Sequence, residues 1–297
     1  MTNLTRPQGA AGADLNLSRR MLGGAFFAGY AAFALGASAE PIHTDEVGLV
    51  TGLVQLPAAD RPIPAYIARP DVKGRSPVVL VVSEVFGIHE YIRDVCRRLA
   101  KAGYVALAPD FFARHGDPAP LTDFAEIRKI VDAATEAEVM GDIHAAVAWL
   151  GQQPFADRRH MAITGFCWGG AVVWLACETF KDFRCGTAWY GKLSRPKPGE
   201  FMSQPERHWP LELAASLKAP VLGLYGGQDQ GIPMSDVGAM DDALGKARVK
   251  GSEIIVYGRS QHGFHADYRP SYDATAAQDG WQRMLAFFAK NGVRPRG

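Results

Sequence analysis

The chain has 297 residues, 47% of them apolar, and a formal net charge of +1. That apolar content argues for a packed globule and against a disordered chain. A net charge near zero supplies neither a basic footprint for nucleic acid nor an acidic balance, so no nucleic-acid partner is expected.

The first readable segment is Leu17-Ser18-Arg19-Arg20-Met21-Leu22, a twin arginine directly ahead of the weakly apolar run Gly23 to Leu35, with Ala37-Ser38-Ala39 forming an A-x-A cleavage signal before Glu40. The run contains Gly23, Gly24 and Gly29 and falls short of the roughly 18 to 20 apolar residues a membrane span needs. Residues 1–39 therefore read as a twin-arginine (Tat-type) signal peptide, and residues 40–297 as one folded domain. This implies the Tat translocase as a transient partner and a periplasmic or secreted location in a bacterium. The alternative is an uncleaved N-terminal anchor.

Strand-like runs at Val47 to Leu56 and Ile63 to Arg69 precede any helix and predict an antiparallel pair. The apolar run Val78 to Val82 then predicts a strand buried on both faces. A helix from Glu90 to Ala102, with Val95, Leu99 and Ala102 on one face, leads to a strand over Val105 to Ala108. Helical patterns follow at Phe124 to Glu136 and Val139 to Leu150, then a strand at Met161 to Thr164 and a helix at Ala171 to Phe180. The strand Gly186 to Tyr190, the Pro-rich stretch Ser194 to Pro210 and a helix Leu211 to Leu217 come next. The strands at Val221 and Ile254 flank a helix near Ser235 to Ala247, and the helix Ala274 to Lys290 closes the chain. This alternation predicts an α/β fold, a mostly parallel central sheet with helices on both faces. The Pro-rich stretch reads as a long surface loop of the kind that borders a pocket.

Gly165-Phe166-Cys167-Trp168-Gly169-Gly170 sits between a strand and a helix. A strand that turns sharply through small residues into a helix lifts the central side chain to the sheet rim, the geometry of a nucleophile elbow normally written G-x-S-x-G. Cysteine stands at the nucleophile position, and a helix N-terminus favours its thiolate. A buried apolar cysteine beside packing glycines is the plainer reading of the same residues. Two further strand ends carry matching chemistry: Val221 to Tyr225 leads into Gly226-Gly227-Gln228-Asp229, and Ile254 to Tyr257 leads to His262. The order nucleophile, acid, histidine is that of α/β-hydrolases. Asp229 would orient His262, which would take the thiol proton and later activate water. Taken singly, Asp229 also reads as a turn former and His262 as a surface-loop histidine.

These segments resemble the dienelactone hydrolase family (carboxymethylenebutenolidases) of the α/β-hydrolase superfamily, over roughly Val47 to Phe288. The likeness rests on Ser83-Glu84-Val85-Phe86-Gly87, Gly103 to Phe112, the elbow, Gly226 to Asp229 and His262-Gly263-Phe264. It implies an α/β-hydrolase domain over 40–297, a Cys167-His262-Asp229 triad, and a Glu84 that contacts the thiol and helps it ionise when substrate arrives. It implies a small-molecule lactone or activated ester as substrate, cleaved through a thioester on Cys167.

Read by itself, Glu84 lies at the end of a buried strand, where desolvation is expected to raise its pKa and fit it to accept a proton. A loop glutamate capping the next helix is the alternative. The backbone N–H groups of Val85 and Trp168 are the expected oxyanion hole. The resemblance also implies arginines that hold an anionic substrate. Phe124 and Arg128 stand in one such region, four residues beyond His262 stands Ala266, and Arg269 three further on is the candidate carboxylate contact. Trp168, Phe86, Phe264 and Tyr190 are candidate apolar walls, each equally readable as core.

Four cysteines follow residue 39, namely Cys96, Cys167, Cys177 and Cys185, and only Cys177 with Cys185 suggests a pairing. No ligand spacing for a metal is present and no cofactor is expected. His265 reads as an exposed bystander beside His262. The rival functional classes are a thioesterase or acyl transferase on the same scaffold, and a non-enzymatic redox-sensing thiol protein. The sequence leaves the oligomeric state open.

Overall fold

The computed structural model describes residues 41–247 and 250–295. The signal peptide read at 1–39 lies outside the described residues. Eight strands form one sheet in the order β1-β2-β4-β3-β5-β6-β7-β8, where β1 is Leu49–Pro57, β2 Pro62–Pro70, β3 Ser76–Val82, β4 Val105–Pro109, β5 Ala156–Phe166, β6 Phe183–Trp189, β7 Val221–Gly226 and β8 Glu253–Tyr257. The first two strands pair antiparallel, β2 meets β4 antiparallel, and every other pairing is parallel.

The reason for this division is in the side chains. Residues 77–82, 105–109, 161–166 and 221–226 are buried without a break, which a strand tolerates only when both faces of its sheet are covered. β1 instead alternates exposed and half-buried residues, as an edge strand does. Helix α1 (Glu90–Lys101) packs on β2 and β4, α3 (Glu136–Gly151) on β1 and β5, α4 (Trp168–Thr179) on β5 and β6, and α7 (Ala274–Lys290) on β6 and β7.

Boundaries follow local chemistry. The helical pattern expected to run to Glu136 stops at Ala133, ending α2 (Phe124–Ala133), because Thr135 starts α3 with a capping box. Its hydroxyl accepts from the Glu138 N–H while the Glu138 carboxylate accepts from the Thr135 N–H, so the backbone must turn out of the helix there. The helix expected at Leu211 to Leu217 is one short turn, α5 (Pro210–Leu213), followed by a 3-10 turn over Ala214–Ser216. Helix α6 (Met234–Lys246) joins β7 to β8.

The Pro-rich loop is anchored. Arg195 donates to the carbonyls of Gln204, Pro205 and Arg207, Arg207 donates to the Ala134 carbonyl, and the Met202 N–H donates to Asp132. Arg128 pairs with Asp132 and donates to the Gly199 carbonyl at 2.8 Å, and Phe124 meets Phe201 edge-on. Arg128 and Phe124 thus clamp this loop onto α2. Cys96, Cys167, Cys177 and Cys185 are all free thiols.

Candidate active site

Parallel strands carry their C-terminal ends to one rim, and five of the singled-out side chains follow strand ends there: Glu84 after β3, Cys167 after β5, Tyr190 after β6, Asp229 after β7 and His262 after β8. The elbow is tight. Cys167 has φ 55 and ψ −114, a left-handed conformation seldom adopted by a non-glycine residue. Its N–H donates to the Trp189 carbonyl at 3.0 Å, and its own carbonyl accepts from Gly170 and Ala171 to start α4.

The glycines around it are dictated by contact rather than flexibility. A Cβ on Gly165 would lie 2.3 Å from the Gly169 carbonyl oxygen, and one on Gly169 would lie 2.4 Å from the oxygen of Val82 and 2.5 Å from that of Ser83. These are backbone atoms of α4, of β3 and of the loop after β3, so they cannot yield locally. Gly169→Ala is expected to destabilise the fold at the upper end of roughly 1–3 kcal/mol, read as a fall in Tm, whereas Gly141→Ala, where a Cβ meets nothing within 4 Å, should leave Tm the same or higher.

The loops after β7 and β8 are fastened to each other. The Gly227 N–H donates to Tyr257 at 2.8 Å and the Gln228 N–H to Ser260 at 2.9 Å. Asp229 is thereby held against His262, with Oδ2 2.7 Å from Nδ1, while Oδ1 accepts from the N–H groups of Gly231 and Ile232. Burial by itself would push the His262 pKa down. The Asp229 charge, the Cys167 sulfur and hydrogen bonds to both outweigh it and raise the value to about 10. The sulfur and the imidazole are therefore within interaction range. A raised value favours the protonated imidazole, which can hold a thiolate beside it.

Glu84 is fully buried, and its surroundings reverse the pKa expected for it. Burial alone would raise its pKa, but the Arg269 guanidinium 3.0 Å from Oε1, assisted by His89 and Tyr268, lowers it to about 2. The Tyr268 hydroxyl donates to Oε2, and His89 Nε2 stands 3.7 Å from the same oxygen. A carboxylate paired in this way is a poor base for as long as Arg269 holds it. Nor does it cap α1, whose N-cap residue His89 makes no side-chain capping bond.

Arg269 reaches the site through curling of the loop. Successive turns, Ala266 N–H to Gly263 and Arg269 N–H to Ala266, fold the segment back on itself. Gly263, at φ +75, leaves the space, since a Cβ there would sit 2.9 Å from Arg269 Cδ. The guanidinium lies over the Phe86 ring at 5.2 Å, where the Glu84 carboxylate favours its charge and a thiolate at Cys167 would add to this. Tyr190, with φ 39, sets its ring edge-on to His262 at 5.2 Å.

Not every candidate wall faces the site. Phe264 is fully buried against Trp189, Tyr190 and Tyr257, so it is a core wedge behind the histidine loop. Trp168 packs its ring on Phe111 and Phe112, leaving its main chain at the elbow. As the first residue of α4, Trp168 has an N–H that intrahelical bonding does not use. Val85 belongs to the tight turn closed by the Gly87 N–H to Glu84 carbonyl bond.

His265 is not exposed. It is buried between aromatic rings with Nδ1 2.6 Å from the Tyr91 hydroxyl, and burial holds it well below the usual imidazole range. Tyr268 and His89 were not legible as site residues. Tyr268 adjoins the candidate Arg269, and His89 follows the Glu84 motif by five residues, but neither spacing specifies contact. Among the described residues, no group of His, Cys, Asp and Glu is arranged to hold a metal ion.

A family model described as the dienelactone hydrolase family matches residues 63–292. A carboxymethylenebutenolidase-like protein of Methylorubrum extorquens is 47% identical over 258 residues, 86% of this chain and 87% of that protein. A similar protein of Escherichia coli K12 is 42% identical over 269 residues, 89% of this chain and 96% of the other. The crystal structure of a dienelactone hydrolase-type protein from Klebsiella pneumoniae is 41% identical with a TM-score of 0.76, covering 82% of this chain and 99% of that one.

Proposed function

This chain belongs to the dienelactone hydrolase family and is a hydrolase of ester or lactone bonds, and from that premise we propose that it opens lactones or activated esters bearing an anionic group, through a thioester on Cys167. The observation that carries this reading is the elbow: a cysteine held at positive φ beside the His262–Asp229 couple.

A substrate carboxylate engages Arg269 and competes with Glu84 for it. Deprived of that charge, the buried Glu84 becomes more basic and accepts the proton of the Cys167 thiol. The electron pair stays on sulfur, where His262 and the N-terminus of α4 favour the thiolate. The sulfur attacks the carbonyl carbon, and the N–H groups of Val85 and Trp168 receive the developing oxyanion. The carbon–oxygen bond breaks, the leaving oxygen takes the proton of His262, and a thioester remains on Cys167. His262, now neutral, accepts a proton from water, hydroxide adds to the thioester, and the carbon–sulfur bond breaks to release the acid and the thiolate; Glu84 then returns its proton to the sulfur as Arg269 pairs with it again.

Cysteine suits leaving groups that are already good, such as a resonance-stabilised enolate. With a poor leaving group, the thiolate itself would depart from the tetrahedral intermediate instead. The twin arginine Arg19-Arg20 and the Ala37-Ser38-Ala39 signal support a further part of this proposal, that the folded protein passes through the Tat translocase to the periplasm or beyond.

Trapping tests the reading. Rapid acid quench of His262→Ala with a carboxylated aryl ester should leave an acyl mass on the peptide containing Cys167, removable by hydroxylamine. Turnover by the wild type with acylation at another residue would overturn it.

A further inference from the structure

The two oxygens of Glu84 are held by different partners. Oε1 faces Arg269 at 3.0 Å, whereas Oε2 accepts from Tyr268 and faces His89 Nε2 at 3.7 Å. The His89 imidazole is buried and fixed by rings on three sides: stacked on Tyr91 at 5.8 Å, edge-on to Tyr268 at 5.2 Å, and edge-on to Phe86 at 6.0 Å. Its ring cannot turn away without disturbing this packing.

We propose that His89 is a positioning residue that, with Tyr268, anchors Oε2 of Glu84 when substrate draws Arg269 away, so that Oε1 alone is freed to take the thiol proton. This inference rests on the reading of Glu84 as proton acceptor and extends it to a residue outside the triad. At 3.7 Å the contact is longer than a hydrogen bond; departure of Arg269 from Oε1 removes the competing pull and lets Nε2–H close on Oε2. In the proton-transfer step the S–H bond breaks, its electron pair remains on sulfur and the proton bonds to Oε1. His89 gives up no proton and serves only as donor to the other oxygen.

The charged and titratable groups facing His89 include Glu84, Glu90, Arg269, Tyr91 and Tyr268. Burial is the strongest influence and lowers its pKa, Glu84 opposes this, and Arg269 reinforces it. The imidazole is thus a neutral donor in the resting enzyme.

The test uses the full chain and a pair of substrates, an aryl ester carrying a carboxylate and its methyl ester. His89→Phe keeps a ring in the aromatic cage and removes the donor. It should lower kcat/KM for the carboxylated ester about tenfold or more. It should also move the acidic limb of the pH profile upward, since a carboxylate that loses a donor is easier to protonate. The methyl ester should be affected less. His89→Gln places an amide N–H near the lost Nε2 and should restore much of the rate and the limb. Equal losses on both esters with an unmoved pH profile would assign His89 a packing role only and overturn the proposal. Glu84→Gln separates the two readings. If that variant turns over normally, the role of Glu84 fails. If it is impaired while His89→Phe is not, the failure belongs to His89 alone.

Discussion

Cys167→Ala is expected to lose at least about 10⁴-fold in kcat toward lactones and aryl esters, the scale on which removal of a nucleophile acts when the remaining groups still bind and polarise the substrate. Its Tm should change little, because the alanine keeps the Cβ and the same backbone. Cys167→Gly should be equally inactive and yet more stable, since φ 55 with ψ −114 is a conformation whose cost of roughly 1–3 kcal/mol falls on any residue with a Cβ. Activity and stability would then move in opposite directions at one position, as expected where strain is maintained to aim a side chain. Thermal melts and initial rates on the two variants check this. An active Cys167→Ala would remove the nucleophile assignment, and a glycine variant that melts earlier would remove the strain argument.

The second large effect concerns the Glu84–Arg269 pair. Arg269→Met leaves a buried carboxylate without its counter-charge, and breaking a buried pair from one side costs about 3–5 kcal/mol. The sign of its pH dependence follows from the shift. In the wild type the Glu84 pKa is depressed to about 2, so its stabilisation is present above the ordinary value of 4.5 and is lost as pH falls toward 2. In Arg269→Met, burial is opposed only by His89 and Tyr268, so the pKa rises and Glu84 is protonated more readily than in the wild type. The destabilisation should be largest at pH 7 and shrink toward pH 4, and Glu84→Gln/Arg269→Met should recover part of it. On the carboxylated ester the arginine variant should lose about 10²-fold or more in kcat/KM, in line with the roughly 2–5 kcal/mol of a truncated charge pair. The methyl ester should lose much less. A destabilisation independent of pH, or equal losses on both esters, would contradict the role given to Arg269.

Much of this was readable because it depends on neighbours in the chain. The period-2 and period-3.6 patterns located the strands and helices, with the boundary at Ala134 missed because a capping box outweighs a run of apolar residues. Gly165, Gly169 and Gly170 marked the elbow, and the common topology of parallel strands sent Glu84, Cys167, Asp229 and His262 to one rim. The substrate-side residues were harder. Arg269 was out of register by simple counting and enters only because two turns and a bare Gly263 fold its loop back. Phe264 and His265 straddle no motif that says which way a loop residue points, and both are buried.

The sequence by itself determined the order of strands and helices and the placing of Cys167, Asp229 and His262 at the ends of successive strands, since each follows from local pattern and chain order. Only the tertiary structure decided the charges those groups carry. Desolvation predicted a Glu84 with a raised pKa, yet Arg269 and Tyr268 arrive from a segment far along the chain and, with the nearby His89, reverse it. Coulombic effects depend on distance through space in a poorly screened interior, and spacing along the polymer does not encode that distance.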